Sequence, residues 1–450
     1  MSTTPARDCG DYNDWINLAV ARDAAVLTDR TISLSPADAE RFHRSFFYDL
    51  RLKRVPHADA TRSWLIPVVA EALPKVHRSA RGAVCSVLID LVFSDPANWR
   101  RMDGQPGLRP EVASNIRRWA EDDILDRGNH PSNLLPLAYL AHLERDFEHC
   151  GRMIRFALEA SADTGEKLRH HELGALSYIA PTRENLLSAL GHEASGEVRF
   201  KRLVTSRDFP VIVFCADPSY FLKHAKTMLD SIDRYPDVVV HFHIINPTEE
   251  TDSALRFLER GSIRHGYSME IRKSATRVYF ASSRMLHAAV FLEAIGADIV
   301  IHDADIWFSQ NPHELYRPFA ASDLAMMRRP AALGYMPWRA VSAEALYLRN
   351  TPVGRSAAAD LSSIMAYHLS RITSEHSNWW WIDQNALHFA WEYYRSQAIQ
   401  FGEISYCMIR AINHTFEARS TTRRSEIKTE KNYLYPRGVI DHASGERDFN

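Results

Sequence analysis

Asp303-Ala304-Asp305 places two carboxylates two residues apart, directly after the apolar run Ile299-Val300-Ile301-His302 and before Ile306-Trp307-Phe308. Carboxylate oxygens at that spacing can converge on one hard divalent cation, and a cation so held can bind a diphosphate. About one Asp-x-Asp triplet is expected by chance in a chain of this size, so the neighbours have to decide. Ala297 to Ile301 reads as a buried parallel strand. Carboxylates at the C-terminal end of such a strand sit where open α/β sheets bind ligands. A solvated turn after a strand is the competing reading.

A second stretch with chemical content is Trp379-Trp380-Trp381-Ile382-Asp383-Gln384-Asn385. Aromatic rings pack on CH faces while an acid and two amides satisfy hydroxyls, which suits a polyhydroxylated ligand. The same residues also read as a helix start, with Asp383 as the cap and the tryptophans in a core. His241 and His243 alternate on a strand and therefore share a face, where they could ligate a metal. Their flanks, Val238 to Val240 and Ile244-Ile245, equally suit structural histidines. The basic run containing Arg423, Arg424, Lys428 and Lys431 is a solvated loop or one that closes over a phosphate.

The elements that must position these groups change style near residue 200. Before it, long amphipathic stretches are broken at Pro56, Pro96, Pro106 to Pro110 and Pro131, which is a helical pattern. Asn133 to Gly165 looks like a single helical hairpin of tetratricopeptide type, but without a sustained repeat at that period a generic helical domain is the expectation. After it, Val211 to Ala216, Val238 to Ile245, a short strand near Met269 and the strand leading to Asp303 alternate with helices over Tyr220 to Ile232, from Thr248, and over Ser283 to Ile295. That alternation is an α/β signature with a mostly parallel, Rossmann-like sheet. No G-x-G-x-x-G turn precedes Asp303, which disfavours a dinucleotide site or a P-loop. The expected domains are 1–200, all-helical, and 205–450, α/β.

Composition sets bounds. The chain has 450 residues, 46% hydrophobic and 24% charged, with a net charge of −2. It can bury a large core, and nothing global points to nucleic acid or an anionic membrane. The first residues lack the apolar core of a signal peptide, and no run of about 18 apolar residues occurs, so a cytoplasmic protein without a transmembrane segment is expected. Five scattered cysteines without a C-x-x-C pair predict free thiols.

Residues 210 to 450 resemble the GT-A fold nucleotide-sugar glycosyltransferases, above all the glycogenin-like, family 8 type. Val211 to Tyr220 resembles the family's first strand and nucleotide-contacting turn. Tyr279 to Arg284 resembles its Tyr-x-Arg stretch, and Asp303-Ala304-Asp305 its metal motif. His442-Ala443-Ser444-Gly445-Glu446-Arg447 resembles its C-terminal His-x-x-Gly-x-x-Lys, with Arg447 one position early. Asp383-Gln384 resembles the Asp-Gln pair that opens a helix against donor sugar and acceptor. The resemblance implies transfer of a sugar, with retention, from a nucleotide diphosphate sugar, most simply UDP-linked, to an acceptor that is a glycan, a protein or a small molecule. It implies Mn2+ or Mg2+ held by Asp303, Asp305 and His442, donor contacts from Ala216, Asp217, Tyr220, Arg284, Asp303, Gly445 and Arg447, and catalytic roles for Asp383 and Gln384. Ser342 and Glu344 stand where the family has Asn and Gly, which puts the sugar's identity, and activity itself, in question. The helical domain would recruit a protein partner or mediate oligomerisation. Two rival functions stand beside this one: a metal-dependent hydrolase built on His241, His243, Asp303 and Asp305, with metal-bound water as nucleophile, and a catalytically weak binding protein.

Overall fold

The computed structural model describes residues 19, 22–35, 37–39, 42 and 58–414, except 103–104, 170, 194–195, 236, 260–263, 274, 372–380, 407 and 409–411. The chain divides into two compact units, Met1–Thr182 with Pro330–Ala340, and Arg183–Arg329 with Val341–Asn450. The division thus comes earlier than residue 200, and a short internal segment, 330–340, belongs to the first unit.

The first unit contains helices α1 (Ala24–Ile32), α2 (Ala58–Ala72), α3 (Arg78–Ser94), α4 (Pro110–Arg127), α5 (Pro131–Leu143) and α6 (Phe147–Thr164). It is not wholly helical, because β1 (Trp99–Met102) and β2 (Gln105–Leu108) form an antiparallel pair. The hairpin expected over 133–165 is α5 with α6. Asp146 caps α6 through the His149 amide, and Gly165, left-handed at φ 72°, ends it, the conformation glycine adopts without a Cβ penalty. The segment Pro330–Ala340 adds aromatic mass to this unit. Tyr335 stacks on Phe93 at 4.4 Å, and Trp338, fully buried, donates its Nε1–H to the His171 carbonyl at 2.7 Å.

The second unit begins with α7 (Arg183–Leu190) and β3 (Arg199–Arg202). It continues β4 (Val211–Ala216), α8 (Pro218–Ile232), β5 (Val239–Ile245), α9 (Glu249–Leu258), β6 (Arg264–Glu270), α10 (Arg277–Leu286), α11 (Ala288–Ile295), β7 (Ile299–His302) and β8 (Ile306–Phe308). Then come α12 (Pro312–Tyr316), β9 (Leu324–Arg328), β10 (Val341–Leu348), α13 (Pro352–Ser370), α14 (Ile382–Tyr394), β11 (Phe401–Ser405) and β12 (Ile412–His414). Its main sheet runs β11-β9-β10-β7-β4-β5-β6-β3. The central strands β7, β4, β5 and β6 are mutually parallel, whereas β10 is antiparallel to both its neighbours. β4 and β5 are buried at every position, the continuous apolar reading that a strand covered on both faces gives. Phe214, Phe242, Val300, Ile306 and Tyr347 join one core with Phe221, Met228 and Leu229 of α8. Burying each such large apolar side chain stabilises the fold by about 1.5–3 kcal/mol.

The order of the strands positions the site. From β4 the chain steps outward to β5 and β6, then returns to place β7 on the other side of β4. The carboxyl ends of β4 and β7 therefore flank the point where the winding reverses, the crevice in which open α/β sheets bind ligands.

Candidate functional site

Both edges of that crevice carry residues expected from the sequence. β4 ends at Ala216, and Asp217 caps α8, its Oδ1 accepting the Tyr220 amide at 2.8 Å. This cap turns the Tyr220 side chain to the far edge, where its hydroxyl hydrogen-bonds Asp305. Burial first, and then Asp305, hold the Tyr220 phenol protonated well above its ordinary range. Asp303-Ala304-Asp305 forms the turn between β7 and β8, with Asp303 half-buried and Asp305 buried. His302 fixes the strand beneath it. A carbonyl only accepts, so His302 Nδ1–H donates to Glu344 O at 2.6 Å, which leaves Nε2 to accept from the Tyr316 hydroxyl.

Arg284, at the last turn of α10 and 4% exposed, joins the motifs. One terminal nitrogen pairs with Asp303 Oδ1, and the other lies 3.3 Å from Asp383 Oδ2 and 3.3 Å from the Ala343 carbonyl. Burial would lower the pKa of this guanidinium, but the neighbouring Asp303 and Asp383 outweigh it and raise it. Asp383 lies in the first turn of α14. The cap position is Trp381, which makes no side-chain cap bond, so Asp383 is not the helix cap; its Oδ1 accepts only the adjacent Gln384 amide at 2.8 Å among the described hydrogen bonds. Burial is the main cause that pushes the Asp383 carboxyl up to about 6, against the pull of Arg284. Trp379, Trp380, His442, Gly445, Arg447 and the basic run with Arg423 lie outside the described residues.

The sequence reading missed Arg329. Its Nη1 donates to Gln384 Oε1 at 2.8 Å, and its Nη2 lies 3.3 Å from Ser342 Oγ and 3.5 Å from Glu344 Oε1. Ser342 and Glu344 thus share one partner, which also holds the amide next to Asp383. The available signal was an acid and a hydroxyl two residues apart on one strand, a pair that calls for a cation. Ser342 lies at an irregularity in the β9–β10 register, which shifts between Ser342 and Leu346.

Four carboxylates, Asp303, Asp305, Glu344 and Asp383, stand with two guanidiniums, Arg284 and Arg329. Asp303, Asp383 and Glu344 each have a guanidinium partner, and among the described residues no three of these carboxylates converge within ligand range of one another; Asp303 and Asp305 are the pair that could share a divalent cation on hard oxygen donors. His241 and His243, by contrast, bond to Ser268 of β6, at 2.9 and 3.0 Å. Their strand, β5, is separated from β7 by β4, and so they do not join Asp303 and Asp305 in one hydrolytic centre.

No family model matches the sequence, and no curated protein matches it. Among solved structures, the glycosyltransferase GlyE of Streptococcus pneumoniae TIGR4 is similar at 14% identity over 44% of this chain and 45% of that one, TM-score 0.31. Mouse xyloside xylosyltransferase 1 is similar at 10% identity over 52% and 96%, TM-score 0.30. The bifunctional glycosyltransferase WbbM is similar at 12% identity over 73% and 60%, TM-score 0.32. This chain spans less than half the length of the GlyE chain. Likeness at these scores carries no functional argument. Among the described residues no helix is long and apolar enough to cross a membrane.

Proposed function

We propose that the second unit is a GT-A-type, family 8-like glycosyltransferase that moves a sugar, with retention, from a nucleotide diphosphate sugar, UDP-linked in the simplest case, to an acceptor. The observation that supports this most is Arg284, whose buried guanidinium links Asp303 at the end of β7 to Asp383 at the start of α14. Motifs 80 residues apart thereby meet at the reversal point of the sheet, with Tyr220 of the β4 turn on Asp305.

In this reading Asp305 is a direct ligand of Mn2+ or Mg2+, Asp303 shares the ion or grips the ribose, and His442 completes the set. The ion, when bound, would neutralise the diphosphate as the sugar departs. Tyr220 and Asp217 border the nucleotide, and Gly445 and Arg447 approach the phosphates. Asp383 faces the transferring sugar, where its charge opposes the cation that develops at the anomeric carbon. Arg329 holds Gln384 and, through Ser342 and Glu344, shapes the wall that would select the sugar. A cytoplasmic location belongs to this reading too.

The experiment is a calorimetric screen of UDP-, GDP- and TDP-sugars with and without Mn2+ on the full-length protein, followed by product analysis with candidate acceptors. Binding that requires both a nucleotide sugar and the metal, and that is lost in Asp305→Ala, is expected. Metal-dependent release of free sugar with no acceptor dependence would point to hydrolysis, and no binding by any nucleotide would sink the proposal.

A further inference from the structure

A second polar constellation lies on the other side of β4 and plays no part in the sugar-transfer chemistry. On one face of the sheet, β5 presents His241 and His243, and β6 presents Ser268 and Glu270, with His243 opposite Ser268 in the register. His287 stands at the break between α10 and α11, and Tyr279 lies in α10. His243, Glu270 and His287 are 0, 2 and 1% exposed. Phe291 closes over them, its ring 5.2 Å from His243 and 6.1 Å from His287. Gly196, at φ 143°, seals another side: an added Cβ there would lie 2.8 Å from Glu270 Oε1 and 3.0 Å from His287 Cε1.

The distances sort two kinds of contact. Tyr279 donates to Glu270 Oε1 at 2.6 Å, a short hydrogen bond that leaves Oε2 facing the imidazoles. Glu270 Oε2 is 3.4 Å from His243 Nε2 and 3.1 Å from His287 Nε2. The 3.1 Å contact is an ordinary N–H···O separation and the 3.4 Å contact is long for one, so the three groups already converge on one another. Ligands about 2.0–2.2 Å from a tetrahedral zinc lie roughly 3.3–3.5 Å apart, which brackets one of these distances and approaches the other. All three ligand atoms lie within 4.8 Å of one another. The outer contact a metal-bound histidine requires is also present, since His243 Nδ1 lies 3.0 Å from Ser268 Oγ. Arg272, 3.7 Å from Glu270 Oε1 and about a third exposed, is screened by solvent.

We propose that His243 Nε2, Glu270 Oε2 and His287 Nε2 bind one zinc ion, distinct from the carboxylates at Asp303 and Asp305. Two imidazoles and one carboxylate are a zinc-type donor set that leaves a fourth position, here deeply buried. The Tyr279 hydroxyl, 3.2 Å from His287 Nε2, borders the fourth corner. The ion would tie β5 and β6 to the α10–α11 corner, and α10 is the helix that carries Arg284.

The test uses full-length protein, stripped with a chelator and titrated with zinc chloride while melting is followed, alongside metal analysis. At least one equivalent of zinc, with one retained in Asp305→Ala, and a rise in melting temperature of about 5 °C or more are expected. The rise should vanish in Glu270→Gln and persist in Asp305→Ala. No rise in the parent, a rise kept in Glu270→Gln, or a rise lost in Asp305→Ala would each overturn the assignment. Should Glu270→Gln fail to fold, cobalt substituted into the parent decides. Intense visible bands of a tetrahedral, nitrogen-ligated ion support the site, and weak octahedral bands reject it.

Discussion

At the scale of single residues, Asp383 makes the sharpest prediction because its ionisation falls in an accessible range. Its carboxyl is pushed up to about 6 from an ordinary 3.8. A folded-state value raised above the unfolded one means that folding favours the protonated form. Stability from this group is therefore complete below about pH 4 and is lost as pH rises through about 6. Asp383→Asn should stabilise the protein above pH 6, by on the order of 3 kcal/mol at most, and have no effect near pH 4. Catalysis should run the other way. If the carboxylate is the working form, the parent's turnover rises with pH through about 6, while the Asn variant binds nucleotide nearly as before and turns over slowly at every pH. Parallel melting and turnover profiles between pH 4 and 8 check both halves, and a turnover number unchanged in the variant would reduce Asp383 to a structural acid. Arg284→Lys offers a second check. An ammonium is a single point and cannot serve Asp303 and Asp383 in two directions as a planar fork does. A loss of turnover of tenfold or more is expected with the charge retained; a parent-like rate would remove the bridge from the mechanism.

At the scale of elements, the sequence was most legible where one local rule acted alone. β4 is a continuous apolar run, β5 and β7 are apolar but for buried histidines, and Asp146, Asp217 and Thr248 cap helices through their own side chains, so their places could be read from residue types. It was least legible where tertiary partners decide. The single helix expected over Ser283 to Ile295 is two, divided at His287, with no proline or glycine to mark the break. His287 instead turns its ring to Glu270 and Tyr279, contacts that a linear pattern does not display. Arg329 could not be singled out as that cation for the same reason, since its partners Ser342, Glu344 and Gln384 come from β10 and α14. This yields an element-scale prediction. If Arg329 fixes α14 against β10, Arg329→Met should raise the KM for the donor sugar and impair discrimination among sugars, while affinity for the bare nucleotide stays within about twofold. An altered nucleotide affinity with unchanged sugar preference would contradict it.

At the scale of the whole molecule, the near-neutral charge and the two units say little about partners, but the chain's path makes a testable demand on the first unit. Pro330–Ala340 interrupts the run from β9 to β10 and belongs to the helical unit. Within that unit Trp338 packs directly on Gly174, where an added Cβ would come within 2.1 Å of its Cγ. Removing the indole should cost about 3–5 kcal/mol, the usual range for a buried tryptophan replaced by alanine. Gly174→Ala in the parent should also destabilise, by about 1–3 kcal/mol, through overpacking. In the Trp338→Ala background, however, the new methyl enters the vacated space, so Gly174→Ala should become nearly neutral or mildly stabilising. Two distant substitutions would add; these two should couple by more than about 1 kcal/mol. Denaturant unfolding of the parent, both single variants and the double variant measures that coupling, with the first unit's transition followed separately because two units need not melt as one. Strict additivity would show that the segment does not fill the core of the helical unit through Trp338.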